Sequence, residues 1–202
     1  MAGAQSIQMD ADKKGLSVDQ TPDGRLMEEV RDGRVEKLAI LFERHHVMLY
    51  NFFLRLTGNR NLSEDLVQDV FFRILKYRKT YLGQSKFSVW MYQIARNAHV
   101  DHLRKLKAET PLDEQYEEVA APDAGPGARL EAEIDIELLK KALDRLPLKK
   151  REILLLSRFQ EMKYREIAEL LGCSIGAIKT SVHRAVKDLG RIYCELQGGM
   201  SP

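Results

Sequence analysis

Lys179, Thr180, His183, Arg184 and Lys187 recur at helical spacing within the stretch KYREIAELLGCSIGAIKTSVHRAVKDLG, residues 163–190. Cations, a hydroxyl and an imidazole on one helical face suit phosphate oxygens and base edges. The plainer alternative is a helical hairpin whose charges are merely solvated. His99 and His102 stand at i, i+3, which sets two imidazoles on one face, but no third or fourth ligand falls in register and no metal site is predicted. Cys173 and Cys194 are too isolated for a zinc or redox pair and too few for a disulfide framework. The sequence contains neither G-x-x-x-x-G-K-[ST] to cradle a phosphate nor G-x-S-x-G to carry a nucleophile. The reading is therefore a binding protein without catalytic residues or cofactor.

The elements that must hold these side chains are helical. Val35, Leu38, Leu41, Phe42, His45, Leu49, Phe52, Phe53 and Leu56 recur at steps of three and four, and Gly58 stops that helix. A second helix is predicted to begin at Ser63 as N-cap, with Glu64 and Asp65 in its first turn and an inward stripe of Leu66, Val67, Val70, Phe71, Ile74 and Leu75. A third runs from Phe87 to Lys107, burying Phe87, Trp90, Ile94, Ala98, Leu103 and Leu106. Further on, Leu130, Ile134, Leu138, Ala142 and Leu146 mark a helix ended by Pro147, which suits the first turn of the next helix, through Leu156. Tyr164 to Leu171, the turn Gly172-Cys173-Ser174, and Ile175 to Leu189 then have helix-turn-helix spacing, with Ile175, Ile178, Val182, Ala185 and Leu189 facing inward.

Charge divides the chain more sharply than its formal net of +2 suggests: segments 1–24, 25–107, 108–134 and 135–202 carry −2, +7, −7 and +4. Basic blocks imply a polyanionic partner. Residues 1–24, with a turn signal at Thr21 to Gly24, read as a flexible tail. Residues 108–130, with Pro111, Pro122, Gly125, Pro126 and Gly127 among acids, read as a linker. The fold expected is all-α: two small helical domains, 25–107 and 131–195, joined by the flexible acidic linker, with the helix-turn-helix in the second and a short tail at 196–202. No run approaches the ~18 apolar residues of a membrane span. The N-terminus lacks the apolar core of a signal peptide, so the cytoplasm is the expected compartment.

Three segments in this order resemble the extracytoplasmic-function sigma factors, small initiation subunits of bacterial RNA polymerase. LSEDLVQDVFFRILK (62–76) is similar to that family's polymerase-clamp-binding helix, FSVWMYQIARNAHVDHLRK (87–105) to its −10-reading helix, and LPLKKREILLLSRFQEMKYREIAELLGCSIGAIKTSVHRAVKDL (146–189) to its −35-reading domain. The resemblance implies core-polymerase contacts from Asp65, Gln68 and Asp69, acceptors for basic groups on a partner helix. It implies −10 contacts from Tyr81, whose ring would stack on a flipped base, from Asn97, whose amide would pair with that base, and from Arg96, His99, Arg104 and Lys105 along the strand. It implies −35 contacts from Ser174, Lys179, Thr180, His183, Arg184 and Lys187.

The implied partners are core RNA polymerase, through its clamp and flap regions, promoter DNA, and an anti-sigma protein, with no membrane insertion. The acidic linker would thread the polymerase cleft or serve as a plain tether. With that linker between them, the two domains are expected to move independently, and free protein is expected to bind duplex promoter DNA weakly. Two other classes compete. A conventional helix-turn-helix regulator would use only the rear domain and has no need of the Asp65-Gln68-Asp69 face. A metal-dependent nucleic-acid hydrolase would carry stoichiometric metal.

Overall fold

The computed structural model describes residues 22–109 and 130–198, and these are helical, with no strand among them. Eight α-helices follow one another: α1 (Asp23–Arg31), α2 (Leu38–Thr57), α3 (Arg60–Tyr77), α4 (Phe87–Glu109), α5 (Leu130–Asp144), α6 (Leu148–Leu154), α7 (Tyr164–Leu171) and α8 (Ile175–Gly198). The expected N-terminal tail and acidic linker lie almost wholly outside the described residues. Within them, Asp23 and Gly24 belong to α1 where a turn was expected, residues 108 and 109 extend α4, and residues 196–198 extend α8.

In the front half, α2, α3 and α4 pack around Leu41, Leu49, Phe52, Phe53, Leu66, Val70, Ile74, Met91 and Ala95, all buried. Each of these side chains larger than alanine contributes ~1.5–3 kcal/mol of burial. Gly58 ends α2 in the left-handed region at φ 69°, donating its N–H to the Leu54 carbonyl at 2.9 Å. The cap of α3 is Asn59, not Ser63: the Asn59 Oδ1 accepts from the Leu62 N–H at 3.0 Å, and Ser63 is buried inside the helix with its hydroxyl on the Asn59 carbonyl. Asn59 wins because it follows the chain reversal at Gly58 directly, which places Glu64 and Asp65 in the second turn.

Helix α1 was not anticipated. Leu26, Met27 and Val30 are fully buried on one of its faces, and Asp23 anchors its start. One Asp23 oxygen accepts from Arg44 at 2.5 Å and the other meets His45 Nε2 at 2.7 Å. At the other end, Arg31 donates to the Tyr81 carbonyl at 3.3 Å. This small helix thereby fixes the loop that leads into α4.

In the rear half, α5, α6 and α7 pack on α8 through Leu138, Ala142, Leu146, Ile153, Leu154, Ile167, Leu170, Ile178, Val182, Ala185 and Ile192. Pro147 caps α6 from outside its first turn. The helix expected to continue through Leu156 opens into a π-helical turn over Leu155–Phe159. Ile153, Leu154, Leu155 and Leu156 are all buried. Four consecutive apolar residues require cover on two sides, and the second side is supplied by α2 of the front half.

The halves are packed together, contrary to the independence expected from the linker. Helix α4 lies on α7, and α2 on α5, α6 and the π turn. Tyr92 is buried on α4 and donates its hydroxyl to Gln160 of the rear half, Val89 and Met91 are buried beside the predicted Phe87 and Ala98, and Trp90 and Ile94 are only half-buried. Ile175, predicted to face inward, is 44% exposed.

Candidate nucleic-acid interfaces

The helix-turn-helix is built by a glycine and a serine. Gly172 takes φ 63° as the C-cap of α7, its N–H reaching the Glu169 carbonyl while that of Cys173 reaches the Ala168 carbonyl. Such a conformation is cheap only for glycine. The Ser174 Oγ accepts the Ala177 N–H at 3.1 Å and so caps α8. Lys179, Thr180, His183, Arg184 and Lys187 all project from α8 into solvent, as the spacing predicted. Thr180 donates its hydroxyl proton to the Gly176 carbonyl, which leaves its oxygen free to accept. These five share one exposed side of α8, and exposed Ser174 stands at its N-terminal end.

On α3, Asp65 and Gln68 are exposed and Asp69 half-exposed, away from the buried stripe of Leu66, Val67, Val70 and Ile74. Phe72 stands one turn further along the same face with 64% of its surface exposed. Sequence reasoning passed over it, although a phenylalanine outside the apolar stripe was a legible signal. A bare aromatic next to a row of acceptors is an interface composition. Asp69 also accepts from Arg73 at 2.9 Å, Arg73 donates to Asp101 at 2.7 Å, and Arg104 meets Asp101 at 3.2 Å. The Arg73 hydrogen bond holds the Asp101 carboxyl below its usual range. This chain of charges connects the α3 face to the far end of α4.

The third set comes together only in part. Asn97, Arg104 and Lys105 are exposed on α4 and Arg96 is half-buried. Tyr81 is not available as a stacking platform. Only 2% of it is exposed, its ring centroid lies 5.2 Å from that of Trp90 and 6.4 Å from that of Phe87, and its hydroxyl reaches the Ser85 carbonyl at 3.4 Å. Stacking on a base needs a free ring face, and both are covered. His99 is likewise interior, 6% exposed, and burial with help from neighbouring His102 lowers its pKa to about 4. A neutral, enclosed imidazole has no charge to offer a phosphate. The concave surface here, an open cavity of about 620 Å³, is lined by Asp23, Arg25 and Glu28 of α1 and by Gly83, Gln84, Ser85, Lys86 and Ser88, together with the edges of Tyr81 and Phe87. Tyr81 shapes that loop from beneath.

Two family descriptions match this chain: sigma-70 region 2 over residues 41–109 and sigma-70 region 4 over residues 136–189. The RNA polymerase sigma factor CarQ of Myxococcus xanthus is 31% identical over 171 residues, 85% of this chain and 97% of that protein. The ECF RNA polymerase sigma factor SigW of Bacillus subtilis is 28% identical over 170 residues, 78% of this chain and 89% of that one. Among solved structures, the sigma factor RpoE of Bartonella quintana, in complex with the anti-sigma factor NepR, superposes with a TM-score of 0.64 at 27% identity, covering 80% of this chain and 96% of that one.

Proposed function

The chain belongs to the sigma-70 family of RNA polymerase sigma factors, in its extracytoplasmic-function group, and from that premise we propose which of its surfaces does which part of promoter recognition. It directs promoter-specific initiation, with region 4 at the −35 duplex and region 2 at the −10 strand. On our reading, α8 enters the major groove with Lys179, Thr180, His183, Arg184 and Lys187. Its capped N-terminus, with Ser174, adds a positive dipole end toward phosphate. Helix α3 docks on the polymerase clamp through Asp65, Gln68 and Asp69, with Phe72 beside them. On region 2, Asn97 reads an unstacked base, and Arg96, Arg104, Lys105 and the exposed loop residues Gln84 and Lys86 follow the strand. Tyr81 and His99 support this surface from within.

Opening of the duplex in this scheme requires no catalytic residue, because capture of an unstacked base offsets the few kcal/mol of unstacking. The compartment is the cytoplasm, where core polymerase works. Among the described residues no helix is long and apolar enough to cross a membrane. The solved relative's complex with an anti-sigma factor supports an anti-sigma partner for this chain too.

The observation that carries the clamp assignment is the exposed acidic face on α3 with an unshielded aromatic one turn beyond it. Its test is core-polymerase binding by Asp65→Lys with Asp69→Lys, which exchanges attraction for repulsion. Loss of binding with the helical content intact is expected. Normal binding by the double variant would remove the assignment.

A further inference from the structure

Leu82 is the most exposed of the large apolar side chains among the described residues, at 67%. Its backbone is pinned on both sides. On one side the Tyr81 N–H donates to the Arg78 carbonyl at 3.2 Å, the Tyr81 carbonyl accepts from Arg31 at 3.3 Å, and the Tyr81 ring is buried. On the other, Gly83 takes φ 70°, and a Cβ there would come within 3.0 Å of Glu28 Oε1. The Tyr81 hydroxyl closes the loop on the Ser85 carbonyl at 3.4 Å. Both neighbours of Leu82 line the cavity under the loop, and Leu82 does not. The loop therefore presents a leucine to water at a fixed place.

The charge around it is one-sided. From Val70 to Val100 the sequence has six cations and no acid, in a chain with 30 acids among 202 residues. Leu82 stands near the middle of this stretch, between exposed Lys79 and Lys86. Lys86 meets Glu166 of α7 at 2.6 Å yet keeps 65% of its side chain exposed. The exposed aromatics nearby have other surroundings: Phe72 lies beside the α3 acceptors, and the Lys76 ammonium sits 5.4 Å from the Tyr77 ring centroid. An apolar tip between cations fits a partner that is anionic along its edges and apolar between them. A base stack flanked by phosphates has that composition.

We propose that Leu82 is an apolar wedge at the edge of the opened −10 segment: it enters the stack at a step that a base has left and covers the ring face of the pair that remains. The proposal rests on the sigma-factor reading of region 2 and adds a residue to its strand-opening machinery.

The chemistry divides the work between Leu82 and Asn97. When a base leaves the stack, its neighbour's apolar ring face is bared to water, and covering that face with another apolar group recovers part of the loss. A leucine has no donor or acceptor, so it fills the step without reading a base edge. Asn97 does the reverse, because its amide can pair with an edge but covers little ring surface. The pinned backbone matters here. A side chain already held in place gives up less conformational freedom when it inserts.

The test uses the full chain with core polymerase on a promoter that this holoenzyme transcribes, and reads open complex by permanganate reactivity of the −10 thymines. Leu82→Ala should slow opening on the order of tenfold, the equivalent of roughly two methylenes no longer buried. Leu82→Met, which keeps an apolar side chain of similar volume, should stay within about twofold of the parent. On a template mismatched across −10 the Leu82→Ala deficit should shrink below about threefold. An abasic nucleotide at the position read by Asn97 separates the two residues. It should abolish the effect of Asn97→Ala and leave that of Leu82→Ala in place.

Because Leu82 is mostly in water, both substitutions should leave the urea midpoint and core-polymerase affinity unchanged. Opening by Leu82→Ala at the parent rate would overturn the wedge. So would a loss of core affinity as large as the loss of opening, which would place Leu82 against the polymerase, and so would disappearance of its effect at the abasic site. Failure of the parent holoenzyme to open any promoter would overturn the sigma-factor reading itself, and the wedge with it.

Discussion

His99 gives the structure a pH dependence that a surface histidine would not. Its pKa falls from the usual 6.5 to about 4, chiefly through burial and secondarily through His102. Because the folded value lies below the unfolded one, the unfolded chain takes up the proton first as pH drops. The stabilising contribution is thus complete above pH ~6.5 and is lost progressively toward pH ~4. Taking these two values, the chain should be weaker at about pH 5 than at about pH 7.5 by on the order of 2 kcal/mol through His99 alone.

Carboxylates also titrate in that window, so the quantity to measure is a difference of differences. Urea unfolding of the parent and of His99→Gln, at both pH values and followed by Trp90 fluorescence, isolates the region 2 core. The variant should be less stable at neutral pH, yet lose ~2 kcal/mol less than the parent on acidification. Equal losses in the two proteins would mean that His99 titrates normally, and would restore it to the solvent-facing, DNA-contacting role expected from sequence.

Other substitutions separate the surfaces. Phe72→Ala should weaken core-polymerase binding by more than ~1 kcal/mol while changing urea stability by less than ~0.5 kcal/mol, since its ring is mostly in water. Gly172→Ala should cost ~1–2 kcal/mol of stability from the left-handed backbone alone, because a Cβ there meets nothing within 4 Å. Arg184→Ala should reduce −35 duplex affinity, by ~1–3 kcal/mol where it contacts a base. Asn97→Ala should spare that affinity and impair strand opening, with partial rescue on a template mismatched across −10, read by permanganate reactivity of the −10 thymines.

The helix-turn-helix could be read from sequence because its signals are local: a glycine at a forced turn, a serine cap and cations one helical turn apart. The α3 stripe was legible for the same reason. What escaped depended on distant partners. Helix α1 offers only Leu26, Met27 and Val30 as an apolar face, next to a polar stretch read as a tail, and its value comes from Asp23 meeting Arg44 and His45. Tyr81 and His99 carry side chains that can serve either solvent or core, and only packing decides: for Tyr81 that of Trp90, Phe87 and α1, for His99 its burial on the inner side of α4. The run Ile153 to Leu156 shows period for neither a surface helix nor a strand. Its doubled burial follows from closure of the two halves, which residue types along a linker do not reveal.

The central claim is that one chain reads two promoter elements through separate faces on behalf of core polymerase. Reconstitution with core enzyme on a randomised promoter library, followed by transcript sequencing, tests it directly. The account predicts transcripts that share two conserved blocks at fixed separation, with substitutions at Lys179 to Arg184 altering the upstream block alone and Asn97→Ala weakening use of the downstream one. Transcripts that share no upstream block, or that show the same preference after both sets of substitutions, would contradict it.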